Sequence, residues 1–359
     1  MIPRLFENDA TDFDSYGMCP LTDSISCAVT EVRRGEYILE MGYPRDGQFA
    51  DLIAIDRIIL ADPADDKRSQ PFRIKEVSYD MNGDIVIQAE HDRYRMNHMI
   101  VGANNNTIGT NDPAGFWNVM TSHLLSTPNP FTFWTDVSGG AVRTFGCDEP
   151  TPLGTMLGGT EGSMIDLFGG ELEFDRYTVK LWQNRGSDNG VKIAYTKNLT
   201  GLEYDIDMSD VFTGVVVFYK DQDNYVESDL QTVTSPYGYS HDIVVDASND
   251  FEDTPTKAQL NTYASNYLAS HQGTPSVSVE VEFVPLWQTD EYKDFYGLEH
   301  VSLCDTVEVV YPPLNLDLKA KVVKTVYNVL ADRYDEITIS TIKPTLADTI
   351  FSLMEETKK

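Results

Sequence analysis

The residue types that could do chemistry are present in this chain, but their spacing does not assemble a known catalytic device. GxSxG, SxxK and HExxH do not occur, which leaves acyl transfer and zincin-type hydrolysis without a motif. A cysteine nucleophile needs a histidine beside it to raise its thiolate fraction. Cys147 sits in FGCDEP with no helix start directly after it, and His91, His98, His123, His241, His271 and His300 are scattered. His91 and His98 stand seven apart in AEHDRYRMNHM without a third zinc ligand at a suitable spacing, and read as surface or interface histidines. Asp221, Asp223 and Tyr225 imitate the opening of a calcium loop, but Tyr occupies the third ligand position and no Gly follows, so a solvated turn is expected. Gly158-Gly159, Gly162 and Gly169-Gly170 lack the GK[ST] or GxGxxG context of a phosphate cradle. Glu171/Glu173 and Asp205/Asp207 stand at i, i+2, which on a strand puts each pair on one face, as in a glycosidase. With 57 acidic residues such pairs also arise by chance. No catalytic, cofactor-binding or metal-ligating residue is assigned, and no cofactor is expected.

The elements that position these residues are mostly strands. Of 359 residues, 41 % are hydrophobic and 11 % aromatic, enough for sizeable cores in two or three domains and too many for disorder. Twenty-seven Lys and Arg against 57 Asp and Glu give a net charge of −30, which excludes binding dominated by nucleic-acid phosphates and disfavours anionic lipid. No run approaches the roughly 20 apolar residues of a membrane helix, and residues 1–15 lack the apolar core of a signal peptide, so the chain reads as a soluble cytoplasmic product. The spacings of Cys19, Cys27, Cys147 and Cys304 fit no zinc or redox pattern, and all four read as structural and reduced, with Cys304 inside a strand over Leu303 to Tyr311.

Along the chain, short strands fill residues 24–60 and 71–90, punctuated by turns at Arg34-Gly35, Pro44 to Gly47, Asp62-Pro63 and Asn82-Gly83. Asp112-Pro113 and Thr151-Pro152 each open a helical stretch, the second interrupted at Gly158-Gly159 and stopped at Gly169-Gly170. A hairpin follows in ELEFDRYTVKLWQ. Thr254-Pro255 opens a helix with Leu260, Tyr263, Ala264, Tyr267 and Leu268 as its apolar stripe and Gly273 as its end. SVSVEVEFV alternates, with Val277, Val279, Val281 and Phe283 on one face and Glu280 and Glu282 on the other, the acidic face in water or against a basic partner. The fold class is α+β, β-rich and multidomain. The expected domains are a first β-barrel over 1–98, an α/β accessory domain ending in a hairpin over 99–200, a second β-barrel over 201–345 with a helical insert at about 255–272, and a C-terminal helix stub over 346–359.

Two long stretches carry a resemblance. GGELEFDRYTVKLWQNRGSDNGVKIAYTKNLTGLEYDIDMSDVFTGVVVF, Gly169 to Phe218, and VSLCDTVEVVYPPLNLDLKAKVVKTVYNVLADRYDEITIST, residues 301–341, followed by LADTI, closely resemble the phage minor structural protein family, also called the prophage endopeptidase tail or tail-associated lysin N-terminal family. The resemblance implies a fold similar to the contractile-phage baseplate hub, with two small β-barrels per chain flanked by α/β and helical accessory domains. It implies a virion structural protein at the tail tip or baseplate, assembled in the bacterial host cytoplasm. The implied assembly is a homotrimer whose six quasi-equivalent barrels join the six-fold tail tube or distal tail protein to the tip and gate DNA passage. Tape measure and tail fibre or receptor-binding proteins are further implied partners, without specific nucleic-acid binding or a membrane anchor. The alternative is a peptidoglycan hydrolase (tail lysin) fragment; lysin activity of longer family members would lie in a C-terminal region beyond Lys359. A third reading, a glycan-binding module, is suggested by the many Tyr and Trp residues. In the hub reading, acidic residues line the ring lumen and keep passing DNA from adhering.

Overall fold

A computed structural model describes residues 2–340, apart from 127, 139–142, 148, 161, 208–211, 222, 234–239, 249, 252, 271–275, 290, 292–298 and 315. The proposed helix end at Gly273 and the helix stub over 346–359 lie outside the described residues. Residues 2–203 with 280–340 form one compact unit, and 204–279 form another.

The larger unit grows from strands that alternate as a half-buried sheet requires. Tyr37–Tyr43 buries Tyr37, Leu39, Met41 and Tyr43, while Ser26–Val32 turns Cys27, Val29 and Glu31 inward. Arg34 at φ 58° and Gly35 turn the chain between them. Ile85–His91 pairs with Tyr37–Tyr43 on one side and Gln70–Tyr79 on the other. Asp80 closes the Asn82-Gly83 turn by accepting from the amides of Asn82 and Asp84. The two β regions read from the chain's ends share one 13-stranded sheet, because Leu316–Asn328 pairs antiparallel with Ser26–Val32, from Lys324↔Val32 to Asn328↔Ala28.

A second layer stands on this sheet. Helix Pro113–Ser122 starts where Asp112 caps the Gly115 amide and Pro113 takes the first turn, burying Phe116, Trp117 and Met120. Leu153–Leu157 and Met164–Phe168 are separated at Gly158-Gly159, and Gly169 at φ 70° ends the second. Their apolar faces meet Val179 and Leu181 from a three-stranded sheet of Thr132–Thr135, Thr178–Trp182 and Glu171–Asp175.

Residues 204–279 close a core of their own. Helix Lys257–Ser270 lays Leu260, Ala264 and Leu268 on Val215, Val217 and Tyr219 of a four-stranded sheet centred on Gly214–Lys220. Its start lies two residues beyond the Thr254-Pro255 device. Thr256 Oγ1 accepts from the Gln259 amide at 3.3 Å, and Gln259 Oε1 accepts from the Thr256 amide at 2.8 Å, a capping box. Thr256→Ala is expected to cost about 1 kcal/mol, read as faster hydrogen exchange of the helix amides with the rest of the chain unchanged.

Candidate functional site

The two stretches that carry the resemblance meet in the larger unit around a buried set of charges. Hairpin Glu171–Trp182 turns at Arg176, φ 53°, and presents Glu171 and Glu173 on one face. Glu171 Oε1 accepts from Arg33 Nε at 2.6 Å, and its Oε2 accepts from Lys321 Nζ at 2.9 Å and the Arg185 amide at 2.8 Å. Arg185 in turn donates to Glu31 Oε1 at 2.7 Å, and Lys67 donates to Glu173 Oε1 at 2.8 Å. One carboxylate therefore ties the N-terminal sheet, the hairpin and the C-terminal strand Leu316–Asn328 together. Burial alone would raise the Glu171 carboxyl, but hydrogen bonds from Lys321 and Arg33 more than offset it and hold it below the ordinary range. Burial is likewise outweighed at Glu173 by Lys67 and Arg185, which bring it down to about 2. A glycosidase pair needs one carboxyl with a raised pKa to protonate the leaving group. Both of these are lowered, so the pair is locked as ionised structural anions. The side chains of Asp205 and Asp207 lie outside the described residues.

Beside this network two backbones touch. Gly186 has φ 88°, and a Cβ there would lie 2.2 Å from the Cys304 carbonyl oxygen. Asp305 carries the join: its Oδ1 accepts from the Ser187 amide at 2.7 Å and its Oδ2 from the Ser302 amide at 2.8 Å. Asp188–Ala194 then runs parallel to Thr306–Tyr311, with Lys192 on Glu308 at 2.6 Å. Cys304 is thus not in a strand, contrary to the expectation for Leu303 to Tyr311. It holds a left-handed turn at φ 75°, and the strand begins only at Thr306, after the Asp305 side chain has folded back on the turn.

The remaining candidates are separate from one another. All four cysteines are buried and free, and the Cys147 thiol donates to the Glu149 carbonyl at 2.7 Å and to Thr151 at 3.3 Å. His98 is exposed, but His91 is fully buried, which corrects its reading as a surface or interface residue. It occupies the last inward position of Ile85–His91 and stacks on Tyr37 at 4.4 Å. Its Nε2 donates to Gln70 at 3.2 Å and its Nδ1 accepts from the Arg93 amide at 3.1 Å. Burial, followed by the Arg93 charge, pushes its pKa well below the ordinary 6.5, so the ring is neutral with both nitrogens engaged. Asp221 closes the expected turn by accepting from the amides of Asp223 and Asn224.

A further cluster escaped the sequence reading. Asp65, Asp66 and His300 bring their ligand atoms within 4.8 Å of one another. His300 Nε2 donates to Asp65 at 2.9 Å, Trp287 and Tyr334 also donate to Asp65, and Ser302 donates to Asp66 at 2.7 Å. Burial would lower the His300 pKa, but the Asp65 hydrogen bond and charge reverse the sign and raise it. These bonds clamp the acidic turn at Asp65 and Asp66 to the distant segment that carries His300 and Ser302. The cluster's sequence signal was the acidic turn ADPADD, whose partner lies more than 230 residues away.

The family model described as Prophage endopeptidase tail matches residues 187–350, starting immediately after the Gly186 contact. This part of the chain is similar to the prophage endopeptidase tail family. The fold of the whole chain is shared with solved prophage tail proteins. Prophage tail protein gp18 from Listeria monocytogenes EGD-e is 16 % identical with a TM-score of 0.55, each chain being covered 100 %. The prophage MuSo2 43 kDa tail protein from Shewanella oneidensis is 11 % identical with a TM-score of 0.60, covering 97 % of this chain and 99 % of that one. A tail protein from Neisseria meningitidis MC58 is 8 % identical with a TM-score of 0.54. No curated protein matches the chain.

Proposed function

We propose that the chain is a structural baseplate hub at the distal end of a phage tail, a homotrimeric ring that joins the tail tube or distal tail protein to the tip. The observation that carries this reading is the agreement of the family match over 187–350 with a fold shared end to end with three tail proteins. The β regions within 1–98 and 201–345 supply the ring's barrels. Strands Ser276–Phe283 and Thr306–Tyr311 lie near the subunit interface. DNA leaves through the centre, where a carboxylate-rich lining repels the phosphate backbone. The hub itself has no enzymatic role. Its charge and ion-pair geometry serve the reading too: Glu31, Glu171 and Glu173 are consumed in holding the subunit rigid, as a load-transmitting part requires. Light scattering on the purified chain tests the trimer, with an expected mass of three times 40.3 kDa. A monomer that stays monomeric after its distal-tail neighbour is added would overturn it, and clearing of cell walls in a zymogram would favour the lysin alternative instead.

A further inference from the structure

Two Asn-Gly pairs occur in the chain, Asn82-Gly83 and Asn189-Gly190. In such a pair the glycine amide nitrogen can reach the asparagine side-chain carbonyl, because no Cβ shields it and the backbone bends freely there. The structure treats the two pairs differently. The Gly83 amide is committed to its turn and donates to the Asp80 carbonyl at 3.1 Å. Asp80 also accepts from the Asn82 amide at 2.8 Å and from Asn82 Nδ2 at 3.4 Å, and the flanking strands pair from Tyr79↔Ile85 onward. Asn189-Gly190 lies in a bulge instead. From Asp188↔Thr306 to Lys192↔Glu308, strand Asp188–Ala194 advances four residues while its partner advances two, so the register skips Asn189 and Gly190. Both are exposed, and among the described residues no hydrogen bond holds the Asn189 side chain. The Gly190 amide donates to no main-chain carbonyl; its acceptor is the Asp188 carboxylate, at 3.2 Å.

We infer that Asn189 is a self-modification site in the folded protein, converting through a succinimide to aspartate and isoaspartate. The Gly190 amide gives up its proton to solvent base and its nitrogen bonds to Asn189 Cγ. The Cγ–Nδ2 bond breaks, and Nδ2 leaves as ammonia. Water then adds to one of the two ring carbonyls. Opening on one side leaves aspartate; opening on the other leaves isoaspartate, whose main chain runs through Cβ and Cγ. Nothing is oxidised or reduced, and solvent water is the one co-reactant. The bulge tolerates both the ring and its products. Isoaspartate lengthens the main chain by a methylene where the strand already carries surplus residues, and no ladder bond has to break. A Cβ on Gly190 would meet nothing within 4 Å, so the surroundings leave the ring room to form. At Asn82 the same attack must first break the Gly83–Asp80 bond that closes the turn, so that pair is protected by its structure. The product places a new carboxylate beside Asp188, which is already bonded to Lys319 at 2.6 Å. This chemistry is independent of any role in a phage tail.

The test incubates the full-length chain in mildly alkaline buffer, folded and in urea, and follows both sites by tryptic peptide mass against an unincubated sample. Cleavage after Arg185 and Lys192 isolates Asn189, and cleavage after Lys75 and Arg93 isolates Asn82. In the folded chain the Asn189 peptide should show the amide-to-acid mass gain at least about fivefold faster than the Asn82 peptide, the factor that one retained hydrogen bond makes in a rate. Isoaspartate methyltransferase should label the Asn189 product. In urea, where neither pair is held, the two rates should converge. Asn189→Gln, which cannot close the five-membered ring, should leave the Gly186–Lys192 peptide at its starting mass and the Asn82 rate unchanged. The unmutated chain decides the matter even if the variant folds poorly. Conversion at Asn82 as fast as at Asn189 in the folded chain, the same ratio of rates in urea, or a folded chain that stays unmodified at Asn189 while the urea sample converts would each overturn the inference.

Discussion

A Gly186→Ala chain is expected to lose about 4 kcal/mol of stability, combining the strain of a left-handed backbone with overpacking against a neighbour that cannot move aside. The neighbour is main chain: the Cys304 carbonyl carbon and oxygen and the Asp305 amide all lie within 2.7 Å of where the new methyl would sit. At about 2–4 °C per kcal/mol for a unit of this size, the unfolding midpoint should fall by roughly 10 °C. Gly190→Ala is the matched control. It lies four residues further on, within strand Asp188–Ala194, at φ 71° but with nothing within 4 Å, so it should cost only the backbone strain, about 1 kcal/mol. Equal losses at the two positions in thermal or urea unfolding would show that the backbone contact between the two stretches is not what the larger unit depends on.

Glu171→Gln is the second large effect. The amide keeps the shape but removes the charge that Arg33 and Lys321 share, and breaking a largely buried ion pair from one side costs about 3 kcal/mol or more. The same carboxylates set the acid response. Glu171 and Glu173 have folded-state values below their ordinary 4.5, Glu173 at about 2. Their contribution is therefore complete above pH 4.5 and is lost as pH falls from there toward 2. Urea midpoints of the unmutated chain should drop steeply across that window, and the Glu171→Gln chain, already weaker at neutral pH, should show a shallower slope. A loss under 1 kcal/mol together with an unchanged slope would contradict the network's role.

Local signals carried most of the elements. Alternation marked Tyr37–Tyr43 and Ile85–His91, and the Asp-Pro pair at 112–113 marked a helix start, because each depends on residues adjacent in the chain. What depended on distant pairing was not legible. Nothing near Ala28 to Val32 signals that its partner is Lys324 to Asn328, and nothing near Cys304 signals that Gly186 will press on it and force a left-handed turn before the strand. The charge network left a faint mark that could have been read: Glu31 and His91 sit at inward positions of alternating strands, where a polar residue demands a buried partner. Their partners, Arg185 and Gln70, follow from tertiary packing alone. The core formed by 204–279 was hidden for a related reason, since its strands are short and its helix reads equally well as an insert in a larger β domain.

Electron microscopy of tails isolated from the bacterium that carries the gene, decorated with an antibody raised against this chain, tests the central claim most directly. The account predicts label confined to the distal tip, on the axis. Label along the tube, at the head-proximal end, or on no part of otherwise intact tails would contradict it.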